Sequence, residues 1–227
     1  MRIGVVQFPG SCDDQDALHA ARLVGEAEIL WHADRDLRGV DAVVVPGGFS
    51  YGDYLRAGAI ARFAPVMESV IRWAREGGLV LGICNGFQVL CEAQLLPGAL
   101  LPNTSLRFTC RQLRLEVVNR ETPFTSACPP SQRTLAIPAK HSFGRYHADQ
   151  ETLAAMRERG QVVLRYAPGE NINGSVEDIA GVCNEAHNVF GLMPHPEHAV
   201  DPLTGSTDGL CLFASMRASL ARDHDDG

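Results

Sequence analysis

No apolar run in this sequence approaches the roughly 18 residues that a membrane-spanning helix needs. The first run, Ile3 to Val6, gives way to Gln7 and Pro9, so neither a membrane segment nor a secretion signal is expected. Positive charge is also scarce: 20 Lys and Arg stand against 27 Asp and Glu, a net charge of -7, and no block of like charge is longer than the tail Asp223 to Asp226. Nucleic acid, itself a polyanion, is therefore not an expected partner. The seven cysteines are odd in number, scattered, and never spaced as CxxC. That pattern disfavours a disulfide framework and a four-thiolate zinc site, and it predicts reduced thiols in the cytoplasm. Internal repeats, low-complexity segments and linkers are missing as well, so residues 1–227 read as one domain, with 45% hydrophobic residues to fill its core.

What is present is a regular alternation of apolar runs and amphipathic stretches. Ile3 to Phe8, Ala27 to Trp31, Val40 to Val45 and Leu79 to Ile83 read as strands. Asp14 to Glu26 reads as a helix, as does Ile60 to Glu76, which carries Pro65 in its early part. After Cys84 the spacing of Phe87, Val89, Leu90 and Leu95 suits a further helix packed on the sheet. Such alternation predicts an α/β fold with a mostly parallel central sheet flanked by helices. From Arg111 the texture changes. Leu113, Leu115 and Val117 alternate with polar residues, and Thr134 to Ile137 and Val162 to Tyr166 are similarly β-like, so a smaller antiparallel element is expected. Ile179 to Cys183 and Val189 to Met193 form a hairpin-like pair, and a terminal helix runs from about Leu210 to Ala221.

Gly82-Ile83-Cys84-Asn85-Gly86 stands where a buried strand turns into a helix. A G-x-C-x-G arises by chance about 0.06 times in a chain of this composition, and its placement makes it the thiol version of a nucleophile elbow. A tight strand-to-helix turn pushes the side chain outward in a strained conformation, and the glycines let neighbouring backbone pass. The helix N-terminus also favours a thiolate. For the other six cysteines the reading as small, inert hydrophobes wins.

A cysteine nucleophile needs an imidazole, and the imidazole needs an oriented acceptor. Met193-Pro194-His195-Pro196-Glu197 follows a predicted strand, and in extended chain Glu197 faces the same side as His195. The bland alternatives are a surface turn or a metal site using His195 and His198, but the nearest further ligands, His187 and Asp201, lack a characteristic spacing, and no metal is expected. His141 is the rival base and has no acid at suitable spacing. For an oxyanion hole, Asn85 supplies a backbone donor at a helix start, and Gly47-Gly48 can supply another. Gln88, one turn beyond Cys84, could bond a polar substrate.

Elbow, late His-x-Glu and strand-end Gly-Gly together resemble class I, or triad-type, glutamine amidotransferase domains. PGGFSYGDYLRAGAIA, GICNGFQVL, RFTCR, MPHPE and STDGLCLFASM are similar, essentially end to end, to the glutaminase subunits of phosphoribosylformylglycinamidine synthases. The resemblance implies a flavodoxin-like sheet and hydrolysis of L-glutamine to glutamate and ammonia. It implies that ammonia passes to a large synthetase subunit that aminates formylglycinamide ribonucleotide with ATP and Mg, with a small accessory subunit as a further candidate partner and no cofactor in this chain. Carried over by position, Cys84 would be the nucleophile, His195 the base and Glu197 its orienting acid. Gly48 and Asn85 would form the oxyanion hole, while Gln88, Phe108, Thr109 and Cys110 would grip the amino-acid end of glutamine. Two stretches depart from the family: Ser142-Phe143-Gly144 follows His141 where Gly-Glu-Gly is common, and His198 stands where arginine is common.

The segment Phe49 to Arg56 is too rich in aromatic and charged side chains to be only a connector. Tyr51, Tyr54 and Arg56 are residue types suited to an interface at the mouth of the site. A cysteine-elbow protease or deglycase and a non-catalytic binding subunit are the competing functions. The first would lack the late His-x-Glu with Gly-Gly, and the second would show a broken triad.

Overall fold

The computed structural model describes residues 1–225; Asp226, at the end of the acidic tail, lies outside the described residues. Five strands form a parallel half-sheet: β1 (Arg2–Gln7), β2 (Glu26–Trp31), β3 (Ala42–Val45), β4 (Leu79–Ile83) and β11 (Val189–Leu192). Four more extend it in antiparallel fashion: β6 (Thr109–Val117), β7 (Thr134–His141), β9 (Val162–Tyr166) and β10 (Ile179–Cys183). The order is β2-β1-β3-β4-β11-β10-β9-β6-β7. A separate antiparallel pair joins β5 (Ala99–Leu101) to β8 (Arg145–His147).

The burial of each strand follows its place. β3 and β4, in the middle of the parallel half, are apolar and buried at every position. β6 lies nearer the edge and alternates, with Leu113 and Leu115 buried between exposed Gln112, Arg114 and Glu116. β7 is the last strand in the order, which is where a sheet accepts Pro138, since proline has no N–H to give to a further neighbour. Helices α1 (Asp14–Arg22), α2 (Pro65–Arg75), α3 (Asn85–Glu92), α4 (Gln150–Glu158) and α5 (Leu210–Asp225) complete the fold.

Several expectations need correction. The single helix from Ile60 to Glu76 is a short 3-10 turn, Ala61–Phe63, followed by α2. Proline disfavours helical geometry in the residue before it, and Ala64 is accordingly extended (φ -61°, ψ 143°), while Pro65 takes the first helical position. Leu95 lies beyond the end of α3 and packs on the core from the following turn. Helix α4 has an ordinary start signal: Asp149 caps it, accepting from the Thr152 amide at 2.8 Å. The expectation of reduced thiols fails for one pair, because Cys128 and Cys211 form a disulfide across 83 residues, their Cα atoms 4.9 Å apart. An isolated pair so distant has no spacing signature, and tertiary packing alone brings the 119–133 segment onto the first turn of α5.

Candidate active site

Cys84 joins β4 to α3 with φ 49° and ψ -102°, a region that side chains with a Cβ avoid. The surroundings enforce it. The Cys84 amide donates to the Leu192 carbonyl on β11 at 2.8 Å, and the Cys84 carbonyl accepts from the Gln88 amide at 3.2 Å. A Cβ on Gly86 would collide with the Val45 carbonyl, and one on Gly82 would lie 2.9 Å from the backbone of Gly86, so the elbow needs both glycines. The thiol lies 3.8 Å from the Lys140 carbonyl oxygen on β7 and opens into a cleft that His195 also lines.

His195 follows β11 and is anchored through its amide, which donates to the Pro138 carbonyl at 2.7 Å. The expected extended geometry stops at His195, and Pro196–His198 forms a 3-10 turn. That turn still delivers the carboxylate: His195 Nδ1 donates to Glu197 Oε1 at 2.6 Å, with both side chains fully buried. Nε2 is thereby left as the other ring nitrogen, buried without a protein partner. Burial alone would lower the affinity of the ring for a proton, but the Glu197 carboxylate and Cys84 outweigh it and hold its pKa well above the usual value.

His141 is built differently. The Asn103 amide group donates to the carbonyls of Arg107 (3.0 Å) and His141 (2.9 Å), so its oxygen faces the Gly144 amide (3.0 Å) and His141 Nδ1 (3.1 Å). Nδ1 therefore carries the proton. Burial, reinforced by His195, lowers the pKa of this ring to about 4, and it stays neutral. Among the described residues no carboxylate is hydrogen-bonded or ion-paired to it.

The remaining expected residues divide. Gly48 (φ 148°) packs so tightly on the 10–12 segment that a Cβ would lie 2.7 Å from the Cys12 amide nitrogen and the Gly10 carbonyl. Asn85 begins α3, and its side chain accepts from the Ser50 amide (3.0 Å) and donates to Asp53 (3.2 Å) and Gln88 Oε1 (2.8 Å). Gln88 lines the cleft, but its amide is already engaged by Asn85 and by the Phe143 carbonyl (2.7 Å). Phe108 also lines the cleft, whereas Thr109 and Cys110 begin β6 and are not among its lining residues. Ser142 and Phe143 form part of the wall. His198 turns to Asp13, with Nε2 3.3 Å from Oδ1.

Asp13, Lys140 and Asp53 were not singled out from the sequence and also line the cleft. Asp13, His195, Glu197 and His198 bring one potential ligand atom each within 4.8 Å of one another. Lys140 Nζ, 2.5 Å from Asp13 Oδ1, already supplies a cation there, and neither His187 nor Asp201 belongs to the group.

In the Phe49 to Arg56 segment, only part of the expected interface faces out. Tyr54 is 73% exposed and Leu55 90%, but the Tyr51 hydroxyl is bonded to His32 Nδ1 at 2.8 Å. Arg56 is paired with Glu92 of α3 at 2.5 and 2.6 Å while its side chain stays 65% exposed, so it faces out with Tyr54.

A thiol on a strained elbow and a buried imidazole–carboxylate pair, set at the ends of adjacent parallel strands, define a domain of the glutamine amidotransferase class. The chain belongs to the CobB/CobQ-like glutamine amidotransferase family, whose sequence profile matches residues 1–209. It is 61% identical to the phosphoribosylformylglycinamidine synthase subunit PurQ of Rubrobacter xylanophilus, over 96% of this chain and 98% of that one. The subunit of the same name from Mycobacterium tuberculosis is 60% identical over 94% and 95%. Among solved structures, a chain in the structure of PurLQS from Thermotoga maritima has a TM-score of 0.87 at 45% identity, covering 96% of this chain and 98% of that one. A putative GMP synthase subunit from Thermoplasma acidophilum, covering 100% and 96% at 15% identity and a TM-score of 0.68, shares the fold.

Proposed function

We propose that the chain, acting as one domain over residues 1–227, is the glutaminase subunit of a phosphoribosylformylglycinamidine synthase. The observation that carries this reading is the placement of Cys84 on its elbow in the cleft lined by His195, with Glu197 behind the ring. The Cys84 thiolate attacks the side-chain carboxamide carbon of L-glutamine. His195 then gives its Nε2 proton to the departing nitrogen, which leaves as ammonia and a thioester remains. Water attacks the thioester with His195 accepting its proton, and glutamate and the thiol are released. The backbone amides of Asn85 and Gly48 serve the oxyanion, a term worth about 3 kcal/mol per donor in enzymes of this kind. Phe108 and Gln88 shape the end of the cleft that takes the amino-acid part of glutamine.

Ammonia passes to a large synthetase subunit, which uses ATP and Mg to convert formylglycinamide ribonucleotide to formylglycinamidine ribonucleotide; this chain needs no cofactor of its own. A small accessory subunit is a further candidate partner in this reading, and the cytoplasm is the location of the chain. Among the described residues no helix is long and apolar enough to cross a membrane. Identity near 60% to PurQ subunits over nearly full length supports the assignment. The test is Cys84→Ala in the assembled enzyme. Glutamine-dependent synthesis should vanish while synthesis from added ammonia stays near the wild-type rate, and retained glutamine hydrolysis would remove Cys84 from its role.

A further inference from the structure

Asp13 precedes α1, where an aspartate ordinarily caps its own helix. It makes no such bond. Its backbone is pinned instead, the amides of Cys12 and Asp13 both donating to the Gly47 carbonyl at 3.2 Å, and its side chain turns into the cleft and is nearly buried. There Oδ2 lies 3.6 Å from His195 Nδ1, on the nitrogen that already donates to Glu197. Oδ1 takes Lys140 Nζ at 2.5 Å and lies 3.3 Å from His198 Nε2. Gly47 makes the approach feasible, because a Cβ there would collide with Asp13 Oδ2 and lie 2.8 Å from His195 Cε1. Two carboxylates thus face one imidazole, and an ammonium covers the second of them.

We propose that Asp13 and Lys140 form a charge-compensated pair of positioning residues that holds the His195 ring and sets the pH range over which Cys84 and His195 work. This rests on the Cys84–His195–Glu197 reading. Although burial pushes the Asp13 carboxyl up, its bond to His198, the charge on His195 and the bond to Lys140 outweigh that and hold it far below the usual carboxylate range, so it is anionic throughout. Burial opposes the charge on Lys140 too, and Asp13 restores it. The other groups facing the His195 ring are Glu197, Cys84, His141 from β7, and His198 with ring centroids 5.4 Å apart. Asp16 of α1 adds a carboxylate 4.0 Å from His198.

The pair predicts opposite shifts. The working form carries one proton between thiol and imidazole, so its acid limb reports the thiol and its basic limb the ring. Asp13→Asn removes a negative charge and frees the ammonium, which favours thiolate and disfavours imidazolium; both limbs move down by about one pH unit. Lys140→Met leaves Asp13 uncovered, and both limbs move up. Asp13→Asn combined with Lys140→Met returns towards the wild-type profile, and Lys140→Arg keeps it. The experiment measures glutamate release from L-glutamine against pH for the assembled enzyme. Alkylation of Cys84 by iodoacetamide against pH, on the full chain, gives a second readout that needs no turnover. Limbs that stay within about 0.3 pH unit of wild type in both single variants, with only kcat lowered, would reduce the pair to packing and overturn the proposal. A wild-type assembled enzyme that releases no glutamate overturns the glutaminase reading instead, and the alkylation profiles still decide the pair.

Discussion

Replacing Cys84 by glycine rather than by alanine separates the cost of the elbow from the loss of its thiol. Both variants are expected to be inactive. Position 84 has φ 49° and ψ -102°, and holding a residue with a Cβ there costs roughly 1–3 kcal/mol. Alanine retains that cost and glycine escapes it. Against the gain stands the greater freedom of glycine in the unfolded chain, roughly 0.5–1 kcal/mol. The balance favours Cys84→Gly over Cys84→Ala by about 1 kcal/mol, the opposite of the order at an ordinary position. In a chain of this length that difference raises the melting temperature by about 2–4 °C. Urea unfolding and calorimetry of the two variants measure it directly, and equal m-values would show that the unfolded states compare. An alanine variant more stable than the glycine variant by roughly 0.5–1 kcal/mol would refute the claim that the backbone at the elbow stores strain for the nucleophile.

Three further outcomes are expected. His195→Ala should lower kcat by about 10²–10⁴ and Glu197→Gln by less, since a neutral amide still holds the ring; in a Cys84→Ala background neither should add much, and steady-state glutaminase kinetics decide. Reduction of Cys128–Cys211, or its replacement by serines, should cost up to about 4.5 kcal/mol from the freed 83-residue loop, measured by denaturation with and without reductant; unchanged stability would show that the bond constrains nothing. The isolated chain should be a poor glutaminase that the synthetase activates, and Tyr54→Ala or Arg56→Ala should diminish that activation more than the basal rate; full activity alone, or activation unchanged in both variants, would deprive the 49–56 segment of a gating role.

Cys84 was legible because every cue for an elbow is local: an apolar strand, two glycines and a helical run within a dozen residues. His195 and Glu197 were legible for the same reason, although a 3-10 turn rather than extended chain makes them meet. Asp13 and Lys140 were not, because they are 127 residues apart and look like an ordinary helix start and an ordinary edge-strand lysine. The sheet order sets β7 four places from β11, and only the packing of β7 on the turn after β11, where the His195 amide donates to the Pro138 carbonyl, makes them neighbours. The central strands were read within a few residues from hydrophobicity. The three-residue strands β5 and β8 are too short to carry a period, and β7 runs to His141 because β6 pairs with it across Pro138, not because of its own pattern.

The attachment of the 49–56 segment to α3 has a mechanical consequence. Ser50 and Asp53 grip Asn85 at the first residue of the helix, and Arg56 grips Glu92 at its last. A helix of eight residues is about 12 Å long, so the segment is fastened across its whole length like a splint. A load on the exposed Tyr54–Leu55 tip cannot bend the helix about one end; it must carry the helix bodily or leave it still. Any such movement is passed to the two glycine-containing junctions that flank the segment and the helix, 47–48 and 82–86, which carry the backbone amides of Gly48 and Asn85.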